Sequence, residues 1–583
     1  MLTNVAIDPN SIKEIECKYA NYQAAVDGTM DDMLLIKEVV HTKDGQLIPR
    51  IVIRENVKRP VYITKENYRN HQDKKECEDI DKLNRIDCTQ NEMALAIQRG
   101  LGWRHPNPKA QLREVCRSPY VYLADLSLPT YVKASYKSKW KDFVTRNKVA
   151  ILDIETDVVH GTNKPITISV TMGDIKIVGA VGWFDRLMQN GYEDIKRVYE
   201  EQMKEVPIYC KKRKAVVMHN LVEERGGSNF EYIVDDDMGV VIQKVIHRCH
   251  EIMPDFLAIW NIDFDLPKIN RQLEESGIPL EDVWCDPIVP HKYRSVRYKQ
   301  AAAQRVTNSK TISQHPADLW HVLYNQSGFY CIDAMCLFKK IRVASGNEPS
   351  YSLDFILKKH LGVGKLKFDL VDDKDPLKWH IAMQSEYPAE YIVYNMFDCI
   401  SIELLDEITN DLGLTASSLC DISEYHIFPS LPKRLVDILT YFYFENGKVP
   451  GCVGADITSE LDDHVIGLQD WIVTLPAHMV EENGLHCVKE FPELRTNFRV
   501  QTADDDIAQA YPTGEVVLNI SKETTHVEIC DIDGISEKAR RRSGINLTGG
   551  RVNAIEIAND LMGMPYIHTV LDEFMSDIEK GLI

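Results

Sequence analysis

Two acids at the end of an apolar run are the first residues in this sequence whose type and spacing could do chemistry. Asp153 and Glu155 stand two apart in "LDIET", so both carboxylates of a β-strand would project from the same face. Hard oxygen ligands at this spacing can share a divalent cation. In a chain with 88 Asp and Glu residues, such a triplet is more often a solvated strand end. The preceding "VAIL" favours a site, because it predicts a buried strand with the acids at its tip.

Two further segments place acids in a comparable setting. Asp265 ends "IWNIDFD", where a predicted strand stops, and capping of the following helix is an equally simple interpretation. Tyr394 and Asp398 are four apart in "YNMFD", which puts them on one face of a helix. A hydroxyl beside a carboxylate suits a site that binds metal and holds a water or a phosphate oxygen. Taken alone, the pair is more often a structural tyrosine with an exposed aspartate.

Alternating strands and helices must position these residues. The run "KVAILDIET" begins a new region near residue 147, and "ITISVTM" (166–172) predicts the next strand. The apolar residues of "DMGVVIQKVIHRCHEIM" (237–253) recur at three and four, as in a helix, and "DFLAIWN" (255–261) predicts the strand that follows. This alternation predicts an α/β fold with a mixed sheet and helices packed on it.

Two more helices are predicted from their end signals. The segment 350–362 has Ser352 as the expected N-cap and Gly362 as the expected terminator. A second helix is predicted at 388–408, beginning at a proline. The second of these helices would carry the "YNMFD" motif.

Charge and composition limit the class of protein. A formal net charge of -20 over 583 residues argues against non-specific coating of nucleic acid, since the field would repel phosphate. An enzyme with a local basic channel stays open. No apolar run approaches a membrane span and the start lacks the pattern of a signal peptide, so we expect a cytoplasmic protein without membrane contact. The 14 cysteines are scattered singly, which disfavours a zinc or disulfide framework.

In chain order the acidic motifs form a more specific pattern. Asp-x-Glu, Asn-x-x-Phe-Asp and Tyr-x-x-x-Asp follow one another over roughly 245 residues and resemble the three exonuclease motifs of family B replicative DNA polymerases. "PSYSLDFILKKHLGVGKLKFD" (349–369) is similar to the stretch between the second and third motifs in the T-even-phage type. "YFYFENGKVPG" (441–451) resembles the stretch that returns to the N-terminal domain, and "DIAQAYPTGEVVLNISKETT" (506–525) resembles polymerase motif A.

The resemblance implies a domain order. It predicts a family B N-terminal domain at 1–146 and an RNase-H-like 3′-5′ exonuclease domain at 147–408. A segment at 409–452 would return to the N-terminal domain, and 453–583 would form a partial polymerase palm.

The resemblance also implies a cofactor, two Mg²⁺ or Mn²⁺ ions per exonuclease site. By carry-over, Asp153 would contact both ions. Glu155 and Asp398 would complete the coordination of the ion that carries the attacking water, and Asp265 would serve the other ion. Tyr394 would orient that water or the scissile phosphate. We expect a raised pKa within so crowded an acid cluster.

The polymerase motif is incomplete. Asp506 would be one metal ligand of the polymerising site, with the carbonyl of Ile507 close by and Tyr511 under the sugar of the incoming dNTP. Gln509-Ala510 replaces the family's usual Ser-Leu. The family's Lys-x-x-x-Asn-Ser-x-Tyr-Gly and Tyr-x-Asp-Thr-Asp-Ser motifs are absent from the sequence, so a second polymerase carboxylate is missing. Nucleotide addition would therefore need a partner chain.

These observations predict the N-terminal part of a DNA-directed DNA polymerase for DNA replication. It would carry the proofreading 3′-5′ exodeoxyribonuclease and bind single-stranded and primer-template DNA. A second polypeptide would supply the fingers, thumb and remaining palm, and a sliding clamp is a further candidate partner. Two alternatives stay open, a free-standing 3′-5′ exodeoxyribonuclease and a non-catalytic DNA-holding scaffold. The sequence is also compatible with a fragment of a longer polymerase.

Overall fold

The computed structural model divides the chain into two compact units, Met1–Gly454 and Ala455–Ile583. The larger unit contains all the exonuclease-like motifs. The structure describes residues 7–71, 74–141, 143–210, 215–306, 311–368, 370, 375–452, 545–547 and 550–552.

Antiparallel sheets form the first part of the larger unit. One sheet has the order β1-β2-β3 and another the order β6-β4-β7. Its elements are β1 (Ile12–Ala24), β2 (Asp32–Thr42), β3 (Leu47–Glu55), β4 (Arg59–Thr64), β5 (Cys77–Asp79), β6 (Leu83–Cys88), α1 (Met93–Gly100), α2 (Leu112–Val115), β7 (Val121–Tyr122) and α3 (Leu128–Lys139).

A six-stranded mixed sheet forms the centre of the larger unit, as the α/β prediction required. Its order is β13-β10-β9-β8-β14-β19. The pairs β10-β9 and β9-β8 are antiparallel. The pairs β8-β14 and β14-β19 are parallel. The strands are β8 (Val149–Thr156), β9 (Pro165–Met172), β10 (Ile175–Val181), β11 (Val206–Cys210), β12 (Ala215–His219), β13 (Glu231–Asp235), β14 (Phe256–Ile259), β15 (Arg297–Lys299), β16 (Gln304–Val306), β17 (Thr311–Ser313), β18 (Val322–Tyr324) and β19 (Tyr330–Asp333).

Helices are interspersed between these strands. The pairs β11-β12, β15-β18 and β16-β17 are small antiparallel additions outside the central sheet. The helices are α4 (Gly182–Asp185), α5 (Tyr192–Met203), α6 (Leu221–Glu224), α7 (Met238–Ile252), α8 (Ile262–Glu275), α9 (Leu280–Trp284), α10 (Ala334–Ile341), α11 (Leu353–Leu361), α12 (Pro376–Glu386) and α13 (Pro388–Thr409).

Strand register assigns the helices to opposite faces of the central sheet. Ile154 of β8 is opposite Ile168 of β9, which is opposite Gly179 of β10. A methyl group at Gly179 would collide with Val241, so α7 packs closely on this face. Asp153 precedes Ile154 and therefore points to the other face, where α13 lies.

Helix α13 is the element that closes the acidic face. It begins at Pro388, whose missing N–H costs nothing in the first turn, and ends before Asn410 in the left-handed region at φ 56°. Its side chains are buried continuously from Tyr391 to Asp406. A helix enclosed on all sides needs no polar face, and each acid in its buried stretch pairs with a cation. The pairs are Asp398 with Lys365, Glu403 with Arg225 and Asp406 with Arg146.

The chain then returns to the first part of the unit. Strand β20 pairs antiparallel with β5, and Lys137 of α3 donates to Asp421 at 2.6 Å. No helix among the described residues is both long and apolar enough to span a bilayer. The remaining elements are α14 (Ala416–Cys420), α15 (Leu431–Glu445) and β20 (Lys448–Pro450), and in the second unit the antiparallel pair β21 (Ile545–Leu547) and β22 (Gly550–Val552). Single turns of 3₁₀-helix occur at Pro9–Ser11, Glu66–Tyr68, Ile80–Lys82, His291–Tyr293, Pro316–Asp318, Val343–Ser345 and Tyr425–Ile427, and a π-turn at Asp411–Thr415.

The close approach of α7 to β10 gives a test of this packing. A Cβ at position 179 would lie 2.4 Å from Val241 Cγ1 and 2.8 Å from Ile168 Cγ2. We predict that Gly179→Ala lowers the free energy of unfolding by about 1–3 kcal/mol, the usual cost of overpacking. Urea unfolding measures the loss. Adding Val241→Ala vacates the space, so the double variant should lose less than the sum of the two single changes, and strict additivity would contradict the packing.

Candidate metal centre

Two carboxylates of β8 form one side of the candidate metal centre. The residues on either side of Asp153 are fully or almost fully buried, so the strand is anchored in the core while its acids face α13. Asn395 of α13 donates to Asp153 Oδ2 at 2.7 Å. Tyr391 of the same helix donates to Glu155 Oε2 at 2.7 Å. Each acid therefore has one oxygen fixed by the helix above it.

Helix α13 supplies the third carboxylate. Asp398 and Tyr394 are four apart and lie on the face that meets β8, as the sequence predicted. Both side chains are buried, so the interpretation of an exposed aspartate is wrong. One oxygen each of Asp153, Glu155 and Asp398 lies within 4.8 Å of the other two, and this three-residue cluster could hold a metal ion.

Asp265 approaches the same cluster from α8. The helix begins after Asn261, so Asp265 lies inside the first turn and the interpretation as an N-cap is wrong. The N–H of Ile262 donates to buried Asp333 Oδ2 at 3.0 Å, which ties the start of α8 to the end of β19. Asp265 lies outside the group within 4.8 Å, but it is close enough to raise the pKa of Asp153.

Two lysines supply positive charge at the cluster. Lys365 Nζ donates to Asp398 Oδ2 at 2.5 Å and to Tyr394 Oη at 3.1 Å. Lys268 of α8 interacts electrostatically with Asp265 and Glu155, and its Nζ lies 3.1 Å from the centroid of the Phe264 ring. That ammonium is buried without a hydrogen-bond partner among the described residues. The four acids thus face two cations, and the fully ionised set keeps two negative charges in excess.

Burial and mutual repulsion shift the ionisation of the acids. Burial, followed by repulsion from Asp265 and Asp398, raises the pKa of Asp153 well above its usual range. Burial also raises the pKa of Glu155, and that of Asp265 strongly. The pKa of Asp398 rises to about 6 through burial, although the ammonium of Lys365 opposes the shift. The expectation of a raised pKa in this cluster is confirmed.

The chemistry of the donors fits a divalent cation. Asp398 Oδ1 is buried without a hydrogen-bond partner in the described part of the chain, and an unsatisfied carboxylate oxygen there costs free energy. Carboxylate oxygens are the ligands that hard cations such as Mg²⁺ take. A bound dication would match the two excess negative charges. Asp153, Glu155 and Asp398 would hold it.

Four residues of the site were missed in the sequence. Tyr391 and Asn395 could have been found, because they precede Asp398 by seven and three residues and so lie on its side of α13. Lys268 could also have been found, because it lies three residues after Asp265 and so on the same side of α8. Lys365 lies in the loop after α11, where no periodicity relates sequence to direction.

Asp506, Ile507 and Tyr511 lie outside the described residues. Searches against protein-family models and curated protein sequences find no significant match.

Cation binding should stabilise the fold in a pH-dependent way. The folded-state pKa of Asp398 is raised, so its neutral form stabilises the metal-free fold below its unfolded pKa, and this contribution is lost as the pH rises through about 6. A bound cation would stabilise the ionised carboxylate of Asp398 and so offset this loss of stability. We predict that Mn²⁺ at about 100 times its dissociation constant stabilises the fold by about 2.7 kcal/mol at pH 7.5 and raises the melting temperature. The same Mn²⁺ concentration should raise the melting temperature less at pH 5.

Differential scanning calorimetry against an EDTA reference measures this effect. The variant Asp153→Asn should lose most of the Mn²⁺-induced gain. Glu193→Gln is the matched control, because Glu193 is an exposed acid on α5 remote in sequence from the cluster and should leave the gain intact. An equal gain in wild-type protein and Asp153→Asn would contradict cation binding at this cluster.

Proposed function

We propose that the region 147–408 is an RNase-H-like 3′-5′ exodeoxyribonuclease that uses two Mg²⁺ or Mn²⁺ ions to shorten single-stranded DNA. The observation that carries the proposal is the convergence of acids from three distant motifs. Asp153, Glu155 and Asp398 form one cluster with Asp265 beside it. Proofreading exonuclease motifs in this order would be expected to converge in this way.

The central sheet supports the proposed fold. Three successive antiparallel strands, β8, β9 and β10, are extended on the side of β8 by two parallel strands, β14 and β19. This order is the one expected of an RNase-H-like sheet. It puts β8 in the middle, and it puts the acids of β8 beside the start of α8, which follows the neighbouring strand β14.

The side chains around the cluster supply positioning and charge for phosphodiester hydrolysis. A divalent cation held by the carboxylates would stabilise charge on the phosphate and lower the pKa of a water molecule. Lys365 donates to Tyr394 Oη, so the hydroxyl hydrogen of Tyr394 is available to a water or phosphate oxygen. The buried ammonium of Lys268 interacts with Asp265 and Glu155, and its positive charge can help to stabilise phosphate charge without direct contact.

Exposed aromatic surface beside the cluster suits a single strand. Phe264 immediately precedes Asp265, and its side chain is 55% exposed despite its size. Aromatic rings stack with bases of any sequence, contributing about 1–3 kcal/mol per base. An unpaired 3′ end could therefore stack on Phe264 while its last phosphate reaches the acids. This arrangement favours single-stranded DNA over a duplex end.

The remaining chain gives this nuclease its proposed context, the N-terminal part of a family B replicative polymerase in the cytoplasm. Strand β20 pairs with β5 just before residue 453, where the predicted partial palm begins. With Asp506 as the single recognisable polymerase carboxylate, primer extension with dNTPs would need a second polypeptide carrying the rest of the palm, the fingers and the thumb. Primer-template DNA and a sliding clamp would be its other partners.

Digestion of a 5′-labelled single-stranded oligonucleotide tests the nuclease. We predict Mg²⁺-dependent shortening from the 3′ end, because the acid cluster would bind the cations that hydrolysis requires. Asp153→Ala combined with Glu155→Ala should reduce shortening to background. On a primed template with all four dNTPs, the chain alone should give no extension.

The outcomes separate the three functions considered. Shortening at the full rate without any partner favours a free-standing exonuclease. Unchanged activity in the double variant would refute a metal-dependent nuclease at this cluster. Absence of shortening from correctly folded, Mn²⁺-binding protein would favour a DNA-holding scaffold, and extension by this chain alone would refute the need for a partner.

Lys365 gives a second test at the same site. Its ammonium joins Asp398 and Tyr394, so removing it should disturb both the ligand and the hydroxyl. We predict that Lys365→Met lowers kcat on the order of 10²-fold, the scale of losing one electrostatic contact in an active site. Lys359→Met is the matched control, because Lys359 lies on α11 and pairs with Glu348 instead. Equal kcat in Lys365→Met and wild-type protein would contradict this role.

A further inference from the structure

A hydrogen-bond network surrounds the carboxylate oxygen of Glu155 that accepts from Tyr391. Its centre is the hydroxyl of Tyr391, whose side chain is 1% exposed. This hydroxyl contacts Glu155 Oε2 at 2.7 Å, Gln384 Nε2 at 3.1 Å and His380 Nδ1 at 2.9 Å. Three polar groups thus share one phenol oxygen, and the direction of each hydrogen bond can be worked out.

The chemistry of the donors fixes those directions. An ionised Glu155 only accepts, and the phenol of Tyr391 has a single hydrogen, so that hydrogen must point to Glu155. The amide nitrogen of Gln384 only donates. The remaining lone pair of the phenol oxygen then faces His380, whose Nδ1 must carry a hydrogen to donate. The network is complete only with His380 in the Nδ1–H form or doubly protonated.

Helix α12 holds the backbone beyond Glu155 as well as its side chain. His380 and Gln384 are four residues apart, so both project from one face of α12. The buried amide of Gln384 donates to the carbonyl of Thr156 at 2.8 Å and accepts from the N–H of Val158 at 3.1 Å. With its bond to Tyr391, both N–H groups of this amide donate and its oxygen accepts one hydrogen bond. The end of β8 is thereby fixed relative to α12.

The stacking of the ring makes the hydroxyl position precise. The Tyr391 ring stacks on Tyr394 with centroids 5.9 Å apart and planes 12° apart. Trp379 lies 6.4 Å from the same ring, and His380 meets it edge-on at 5.8 Å. Aromatic contacts on several sides leave the ring few alternative orientations. The hydroxyl is therefore held where Glu155 needs it.

We propose that Tyr391 and His380 are positioning residues for Glu155, fixing one carboxylate oxygen so that the other is presented to a divalent cation. This role rests on the proposed function, since it assumes that Glu155 is a metal ligand. The hydrogen bond from Tyr391 uses Oε2 of Glu155, which leaves Oε1 for that purpose. Groups behind a metal ligand that orient it in this way commonly change metal affinity by about 10- to 100-fold when removed.

Mn²⁺ affinity, followed by electron paramagnetic resonance on the full chain, tests the proposal without reference to nuclease activity. Tyr391→Phe keeps the stacked ring and removes only the hydroxyl, so the dissociation constant should rise about 10- to 100-fold. His380→Leu should raise it in the same direction. His380→Asn is the matched variant, because its amide nitrogen can occupy the place of Nδ1 and donate to Tyr391, and it should restore much of the affinity.

Binding that persists in the variant Asp153→Ala with Asp398→Ala is subtracted as unrelated to the cluster. Nuclease turnover in Tyr391→Phe should recover toward wild type as Mn²⁺ is raised, since the ligand itself is still present. A merely structural tyrosine would lower the melting temperature without changing Mn²⁺ affinity, and unchanged affinity in both Tyr391→Phe and His380→Leu would overturn the proposal. Wild-type protein that binds Mn²⁺ but cleaves no DNA would refute the nuclease alone, and the affinity comparison would still decide the positioning role.

Discussion

The repulsion among closely spaced, partly or fully buried carboxylates at the end of β8 is the constraint on which the rest of the site depends. Removing Asp153 and its neighbours from water penalises each charge, and their proximity adds to the penalty. Lys365 relieves part of it by pairing with Asp398, since the carboxylates outweigh the burial of its ammonium and raise its pKa well above the usual range. The excess negative charge destabilises the cation-free site, and a bound cation would reduce this repulsion.

The fold meets this constraint by anchoring every acid to a buried element. Strand β8 is central in the sheet, and helix α13 is buried along most of its length, so neither can move away from the other to relieve the repulsion. Asp333 ties α8 to the end of β19 and thereby holds Asp265 near the cluster. Tyr391 and Asn395 each take one carboxylate oxygen. Rigid support allows charges to remain close that would separate on a loop.

Local signals in the sequence predicted the elements but not all of the contacts. Ser352 caps α11 by accepting from Phe355 N, and Gly362 ends that helix at φ 71°, as the end signals required. The strand with Asp153 and the helix with Asp398 were predicted because their apolar patterns are dictated by burial. The position of Lys365 was not, since a loop residue meets Asp398 only through tertiary packing.

Asp265 shows a different limit of the sequence. An acid after a strand and before a helix fits an N-cap, yet Asn261 is the residue that precedes α8, and Asp265 lies within the first turn of the helix. Whether Asp265 is a cap or a buried site residue depends on a difference of four residues in where the helix begins. The sequence specifies where a helix begins less strongly than it specifies that a helix forms.

An anomalous difference map from crystals soaked in Mn²⁺ and a phosphorothioate oligonucleotide is the most direct test of the central claim. Two peaks bridged by Asp153, with Glu155, Asp265 and Asp398 as the other ligands, are the predicted result. The strand's 3′-terminal phosphorothioate should lie against both ions. A map without anomalous density among these carboxylates, at a Mn²⁺ concentration that saturates binding in solution, would contradict the account.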